Sequence, residues 1–428
     1  MKNRLSKLTL AIATAALSLS FAGNAAAADN PIKIGVVTFL SGPAAGPFGI
    51  PARDAAELLN DEINKGALPA PYATKGFGGT PIKFNIVDEA GGTTNQVTQY
   101  RNLVNQQGVD LVIGYISSGD CLAIAPVAEE MKKLTVFFDC GTPRIFEDGA
   151  YKYVFRTGPT ATMDAVAAAM YLKDQKVKVN TYAGINQNYA WGQDSWADFT
   201  GAMKEIFPDA KMATSQMTPF QSGQYGAPIS ALLASNADVI QSSYWGGDVS
   251  GLILQGAPRG LFKKSLVVLT AGEPAVQELG AEIPDGTVIG ARGPFSMYAP
   301  KSELNTWFRK AFEARFKVPP NYESYKMAQA ILGVKSAYEK AQAANGGKAP
   351  DQDQVIAAFE HLTWTGPGGE VSLSRGKGHQ AAQGTAYGRI KHVKGKTEFV
   401  DVERFTAEQV TPPEGVKSED WIKSNFKQ

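Results

Sequence analysis

Two stretches bring hydroxyls, thiols and an acid to the ends of apolar runs. YISSGDCLAIAP (115–126) places Ser117, Ser118 and Gly119 just past LVIGYI, with Cys121 two residues further on. TVFFDCGTP (135–143) ends a second run on Asp139, Cys140, Gly141 and Thr142. A serine or cysteine nucleophile needs a base within hydrogen-bond reach. The only histidines are His361, His379 and His392, all in the C-terminal part of the chain and none at metal-ligand spacing. Asp139 and Glu273 each close an apolar run, but nothing in the sequence sets them face to face. There is no phosphate-binding glycine loop, no dinucleotide fingerprint and no G-x-S-x-G elbow. What the loops do offer is neutral: hydroxyls and backbone N–H groups at the start of helices, which bind anions or simply cap their own helix. That chemistry fits a binding protein better than an enzyme, and it calls for no cofactor or metal.

The elements that position these loops alternate. IKIGVVT, TPIKFNIVD, VDLVIGYI, LTVFFD and YVFRT read as strands, and ARDAAELLNDEINKG, NQVTQYRNLVNQQG and CLAIAPVAEEMKK as helices between them. Strands that are unbroken apolar runs suit a parallel sheet covered on both faces. The pattern restarts after YVFRTGPT, with strands VNTYAGINQ, ADVIQSSYW, SLVVLTAGEP and GTVIGARGPF separated by helical segments. Two late helices, ELNTWFRKAFEARFK and YESYKMAQAILGVKSAYEKAQAANGG, precede a third, VIAAFEHL, and a tail of hairpin-like strands. In open α/β sheets ligands sit beyond the carboxyl ends of the strands. The loops SGPAAGPFG, SSGDC, DCGTP, NQNYAWGQ, SSYWGGD and TAGEP all follow strands, and their small, hydroxyl and aromatic residues suit a small-molecule pocket.

The bulk numbers allow two domains. The chain has 428 residues, 44% of them hydrophobic, and a net charge of +1, so neither nucleic acid nor an anionic membrane surface is indicated as partner. The first residues differ from the rest: Lys2, Arg4 and Lys7 lead into LTLAIATAALSLSFAG and NAAAADN, the form of a cleaved signal peptide ending at Ala27 or Ala28. Cleavage removes three of 42 basic residues and leaves the 41 acids, for a mature net charge of −2. Export to the periplasm follows, and with it a compartment that permits disulfides. Cys121 and Cys140, the only cysteines, are expected to pair rather than remain two separate buried thiols. A loop of about twenty residues closed in this way is worth roughly 3 kcal/mol.

Taken together, the leader, IKIGVVTFLSGPAA, LVIGYISSGDCLAIAPVAEE, FFDCGTP, YVFRTGP, NQNYAWGQD and the YESYKMAQAILGVKSAYEKA helix resemble the periplasmic solute-binding proteins of branched-chain amino-acid-type ABC importers. The resemblance covers essentially the whole mature chain. It implies an α/β fold of two Rossmann-like lobes (the type I periplasmic binding protein fold) joined by three hinge crossovers, near Phe155–Thr160, Ala291–Phe295 and Gly366–Glu370. The corresponding division is a signal peptide over 1–28, a first lobe of 29–156 plus 294–367, and a second of 157–293 plus 368–428. The implied function is an extracytoplasmic receptor that closes on a small carboxylate-bearing ligand and delivers it to an inner-membrane permease, most simply as a monomer. The same fold could instead present ligand to a chemoreceptor or kinase, and an exported enzyme remains a third reading. By position, Ser117, Ser118 and Gly119 would meet the ligand carboxylate, with Cys140, Gly141 and Thr142 beside them. Tyr189 would close over the ligand, and Phe48, Tyr244 and Trp245 would line the cleft or pack in the core. Glu273 stands where amino-acid binders keep an acid for the ligand ammonium, and Arg292 could serve a second carboxylate. A Cys121–Cys140 bridge would tie together the two loops expected to hold the carboxylate.

Overall fold

The structure is a computed structural model that describes residues 30–428; the expected signal peptide lies outside the described residues. The apolar runs form two sheets. The first has eight strands in the spatial order Thr363–Gly366, Gly369–Arg375, Gln380–Ala382, Val154–Arg156, Thr135–Phe137, Leu111–Gly114, Ile32–Thr38, Ile82–Asp88. The second has seven: Lys396–Phe405, Thr385–Val393, Val288–Gly290, Leu266–Leu269, Val239–Ser242, Thr181–Gln187, Lys211–Thr218. In both sheets the strands that alternate with helices pair in parallel, and the C-terminal additions pair antiparallel among themselves.

Each sheet therefore repeats one order. Its first strand lies between its second and third, with the fourth and fifth following outward. The order reverses beside the first strand, and the crevice at the carboxyl end of that point is where such sheets bind ligands. Register in the first sheet sets Val36 opposite both Ile86 and Ile113, which puts the strand Ile32–Thr38 at the centre of its core.

Sheet membership corrects one sequence expectation. Gly369–Arg375 and Gln380–Ala382 pair into the first sheet, so the third change of sheet falls between Ala382 and Thr385 rather than at Gly366–Glu370. The hairpin GPGG at 366–369 reads as a linker, but here it is a tight turn between paired strands. The strand Lys211–Thr218 escapes sequence reading because it is a polar, largely exposed edge strand.

The helices end where their sequences dictate. Ile50–Lys65 stops at Gly66, whose φ of 69° suits the left-handed C-terminal position. Tyr322–Ala344 begins at Asn321, whose Oδ1 accepts from the amides of Glu323 (3.1 Å) and Ser324 (3.3 Å). This 23-residue helix is buried over most of its length and carries Glu323 and Lys326 into the middle of the molecule. Among the described residues, no helix is long and apolar enough to cross a membrane.

Candidate functional site

The carboxyl ends of the two sheets face each other across a narrow gap. It is lined by Ile116, Ser118, Asp139, Gly141 and Tyr322 on one side and by Tyr189, Trp191, Trp245, Ala271 and Arg292 on the other. The space left is about 10 Å³, room for a single water. The two sides are in contact around it. Thr142 Oγ1 donates to Asp194 (2.6 Å), and Arg144 Nε donates to the same carboxylate (2.9 Å). Trp245 packs against Phe48 and Phe39, with ring centroids 5.3 and 5.8 Å apart. The molecule is thus in a closed arrangement.

Ser118 occupies the first turn of the helix Ser118–Glu130, which Ser117 caps by accepting from the Asp120 amide (3.4 Å). Ser118 Oγ accepts from two amides, those of Gly141 (3.1 Å) and Thr142 (3.2 Å). A hydroxyl has two acceptor lone pairs and one proton. Both lone pairs are used, so the hydroxyl is left as a donor, and no acceptor for it occurs among the described residues. Tyr322 also lines the gap, and its buried hydroxyl has no partner there. One local donor set is already taken: the amides of Ile116 (2.9 Å) and Ser117 (2.7 Å) both reach the carboxylate of Glu89, which is fully buried.

A buried ion network lies beneath the gap. Arg292 pairs with Asp139 and, through Nε, with Asp164 (3.0 Å), and Lys326 pairs with Asp139. The Arg292 guanidinium stacks 4.2 Å over the Trp191 ring, and Lys326 lies 4.2 Å over that of Tyr322. Burial pushes the Asp139 carboxyl up, but Arg292 and Lys326 together outweigh it and hold the group below its ordinary value. Burial raises Asp164 to about 6 against the pull of the same two cations. Glu323, beside Asp139, is pushed well above its ordinary value by burial and by the Asp139 charge. Asp139, the carboxylate that lines the gap, is already paired with both cations.

The structure brings together Ser118, Gly141, Tyr189 and Trp245 of the residues expected from sequence. Gly119 sits alongside, where a Cβ would come 3.8 Å from Tyr189. Others serve different ends. Ser117 is the cap. Thr142 spends its hydroxyl on Asp194 across the gap. Phe48 packs behind Trp245 and edge-on to Tyr322. Tyr244 bonds to the Thr218 hydroxyl and lies in the core of the second lobe. Glu273 is turned away: its Oε2 accepts from the Tyr322 amide (2.9 Å), burial lifts its carboxyl to about 7, and it does not line the gap. Arg292 does reach the gap, but its donors go to Asp139, Asp164 and the carbonyls of Asp139 and Pro159. Trp191 and Tyr322 were missed as site residues. Trp191 lies in the NQNYAWGQ loop noted for its position, whereas Tyr322 begins a helix whose apolar pattern reads as plain core.

Cys121 and Cys140 form a disulfide, with Cα atoms 6.4 Å apart. It joins the first turn of the Ser118 helix to the loop of Gly141, whose amide donates to Ser118 Oγ. Replacing the pair (Cys121→Ala with Cys140→Ala) is expected to cost about 3 kcal/mol of stability by the entropy of the 19-residue separation. Urea unfolding of the variant against the oxidised wild type measures it; equal midpoints at equal slopes would show that the bridge constrains nothing.

Comparison with known proteins bears on this geometry. The sequence profile of the family described as periplasmic binding protein matches residues 31–397. The Leu/Ile/Val-binding protein homolog 4 of Brucella melitensis is 24% identical over 426 residues, covering 95% of this chain and 97% of its own. Among solved structures, a solute-binding protein of an ABC transporter from Rhodopseudomonas palustris, in complex with p-hydroxybenzoic acid, superposes with a TM-score of 0.75 at 21% identity. It covers 88% of this chain and 98% of its own. The leucine-, isoleucine-, valine-, threonine- and alanine-binding protein of Brucella ovis, in a closed conformation, superposes with a TM-score of 0.73 at 19% identity, covering 90% and 97%.

Proposed function

The chain belongs to the periplasmic binding protein family, and from that premise we propose that it is the extracytoplasmic receptor of an ABC importer for a small carboxylate. In this reading the lobes close on the ligand, and the closed form delivers it to a membrane permease. The relatives are named as binding proteins, and the two-lobed α/β fold with a seam of hydrogen bonds between its lobes suits closure around a solute.

The observation that carries the ligand class is the pair of hydroxyls. Ser118 Oγ has both lone pairs filled by the Gly141 and Thr142 amides, and Tyr322 presents a second hydroxyl without a partner. Two donors of this kind suit an acceptor-rich group such as a carboxylate. The first-turn amides of Ser118 and Gly119, which no helix carbonyl can reach, add to them.

A plain carboxylate is favoured over an α-amino acid. An ammonium needs an uncompensated acid, and Glu273 faces the Tyr322 amide while Asp139 faces Arg292 and Lys326. The rings of Tyr189, Trp191, Trp245 and Tyr322 favour an aromatic body. Similar solved proteins are in complex with 3,4-dihydroxybenzoic acid, 4-hydroxybenzoate and benzoate, which agrees with this choice.

The test is calorimetric titration of the ligand-stripped protein with benzoate, 4-hydroxybenzoate and leucine. Saturable binding of the aromatic acids and little of leucine is the expected result; leucine binding more tightly would overturn the choice of ligand. In the same assay Ser118→Ala is expected to weaken the bound acid roughly ten- to a hundredfold, the worth of one hydrogen bond to a charged group. Unchanged affinity would remove Ser118 from the site.

A further inference from the structure

A second and larger cavity lies on the other side of the loop that carries Gly141. It measures about 530 Å³, within the range of small-molecule pockets. Phe146 and Tyr151 of the first lobe form one wall, and Pro412 and Pro413 of the C-terminal segment form the other. That segment runs on into the helix Ser418–Lys423, which packs on the second lobe through contacts of Trp421 and Ile422 in its core. The cavity therefore has walls from both lobes.

Its floor is Arg156, a side chain only 1% exposed. Arg156 Nε donates to Gln380, and Nη1 donates to the carbonyls of Cys140 (3.0 Å) and Thr142 (2.5 Å). Its Nη2 makes no hydrogen bond among the described residues and is not one of their buried unsatisfied atoms, so it opens onto the cavity. Charges of both signs line it. Arg375 and Lys377 have no acidic side-chain partner among the described residues, and the three carboxylates of the wall have no lysine or arginine partner there: Glu147 accepts from the Ser418 amide (3.0 Å), Glu360 lies 3.3 Å from His379 and Glu414 accepts from the Lys377 amide (2.7 Å).

We propose that this cavity is a second binding site, for a small organic anion with a flat apolar body, and that its occupancy is coupled to the cleft. The anionic group meets Arg156 Nη2, with Arg375 and Lys377 at the rim. The apolar body lies against Phe146 and the two prolines. Coupling has two routes. The first is Arg156 itself, which holds the carbonyls on both sides of Gly141 and so sets the loop that faces the cleft. The second is the wall from each lobe, which is in register only when the lobes are placed as they are here. A ligand in the cavity thus favours this placement of the lobes, in which the gap has room for a single water, and so opposes a ligand in the cleft.

The probe is 1-naphthoate, titrated by calorimetry into the wild type, Val416→Trp and Arg156→Lys. Val416 lines the cavity and is 39% exposed, so the indole fills the space without disturbing the core. We expect one naphthoate site in the wild type, lost in Val416→Trp and at least tenfold weaker in Arg156→Lys, with the melting temperature of unliganded Val416→Trp unchanged. Saturating naphthoate should weaken 4-hydroxybenzoate binding by about fivefold or more in the wild type and leave it unchanged in Val416→Trp. No site in the wild type, or one indifferent to Val416→Trp, overturns the proposal, and so does naphthoate that still weakens 4-hydroxybenzoate binding in Val416→Trp, which would place both acids in the cleft. Failure of 4-hydroxybenzoate to bind at all would count against the ligand choice above, and the naphthoate titration would still read the cavity.

Discussion

Gly141→Ala should leave the protein folded, with a small loss of stability where Arg292 is crowded, yet weaken ligand binding by roughly ten- to a hundredfold, the scale of an overpacked contact costing about 1–3 kcal/mol. A Cβ on Gly141 would fall 2.7 Å from Trp191 Cε3 and 2.5 Å from Arg292 Nη2. Trp191 belongs to the facing side of the gap, so that overlap exists only while the gap is shut, and parting the lobes relieves it. Arg292 is held to Asp139 beside Gly141 and must give way in place. Gly141 is not among the residues with positive φ, so the backbone itself tolerates alanine. The substitution acts as a wedge on the closed state, and the lost affinity is the free energy of closure against the wedge. Calorimetry gives the affinity, and small-angle scattering at saturating ligand gives the shape. A variant that closes as compactly as the wild type and binds as tightly would mean that Trp191 moves aside at no cost, and that the Gly141 contact does not gate the cleft.

How much of this was legible in the sequence follows from what each feature depends on. The two α/β lobes were legible because unbroken apolar strands alternating with amphipathic helices admit few folds. The disulfide was legible from there being two cysteines in an exported-looking chain. Ser118 and Gly141 were legible because position after a strand is a sequence property. The divisions of labour within the loops were not. Ser117 and Ser118 are adjacent and chemically identical, yet one caps a helix and the other faces the gap, a difference set by the helical path of a single residue. Glu273 does not end its strand, Leu266–Leu269, but opens the helix Glu273–Leu279 beyond it, and the Tyr322 amide, 49 residues away, decides where it points. Tyr322 itself is hidden in a helix buried on nearly all sides, where periodicity cannot mark one face as functional. The third crossover was misplaced because Pro and Gly mark a tight hairpin turn as readily as a linker.

Arg292 shows how the same residue can be read as a ligand contact and turn out to hold the structure together. Arg292→Met is expected to cost about 3–5 kcal/mol of stability, the range for removing one partner of a buried ion pair. It removes the one cation in direct contact with Asp164, leaving the weaker pull of Lys326, and leaves Asp139 with Lys326 alone. The loss should depend on pH, and its sign can be worked out. Asp164 already sits at about 6 in the native protein because of its burial, with Arg292 working against the rise. Without Arg292 it rises further, so the native state binds more protons than the unfolded chain over a wider window above the ordinary value of about 4. Stability then falls as pH rises through that window. In the wild type Asp139 contributes in the opposite sense, because its lowered value stabilises the fold above about 4, and the substitution removes part of that contribution. Both effects widen the gap between wild type and variant towards neutral pH and narrow it near pH 4 to 5. Urea unfolding at pH 5 and pH 7.5 measures the gap at each. Adding Asp164→Asn to Arg292→Met should recover part of the loss at pH 7.5 and little at pH 5, because only at the higher pH is the orphaned carboxyl forced to ionise. A gap independent of pH, or no recovery with Asp164→Asn, would show that the cost of losing Arg292 is lost packing against Trp191 and not unpaired charge.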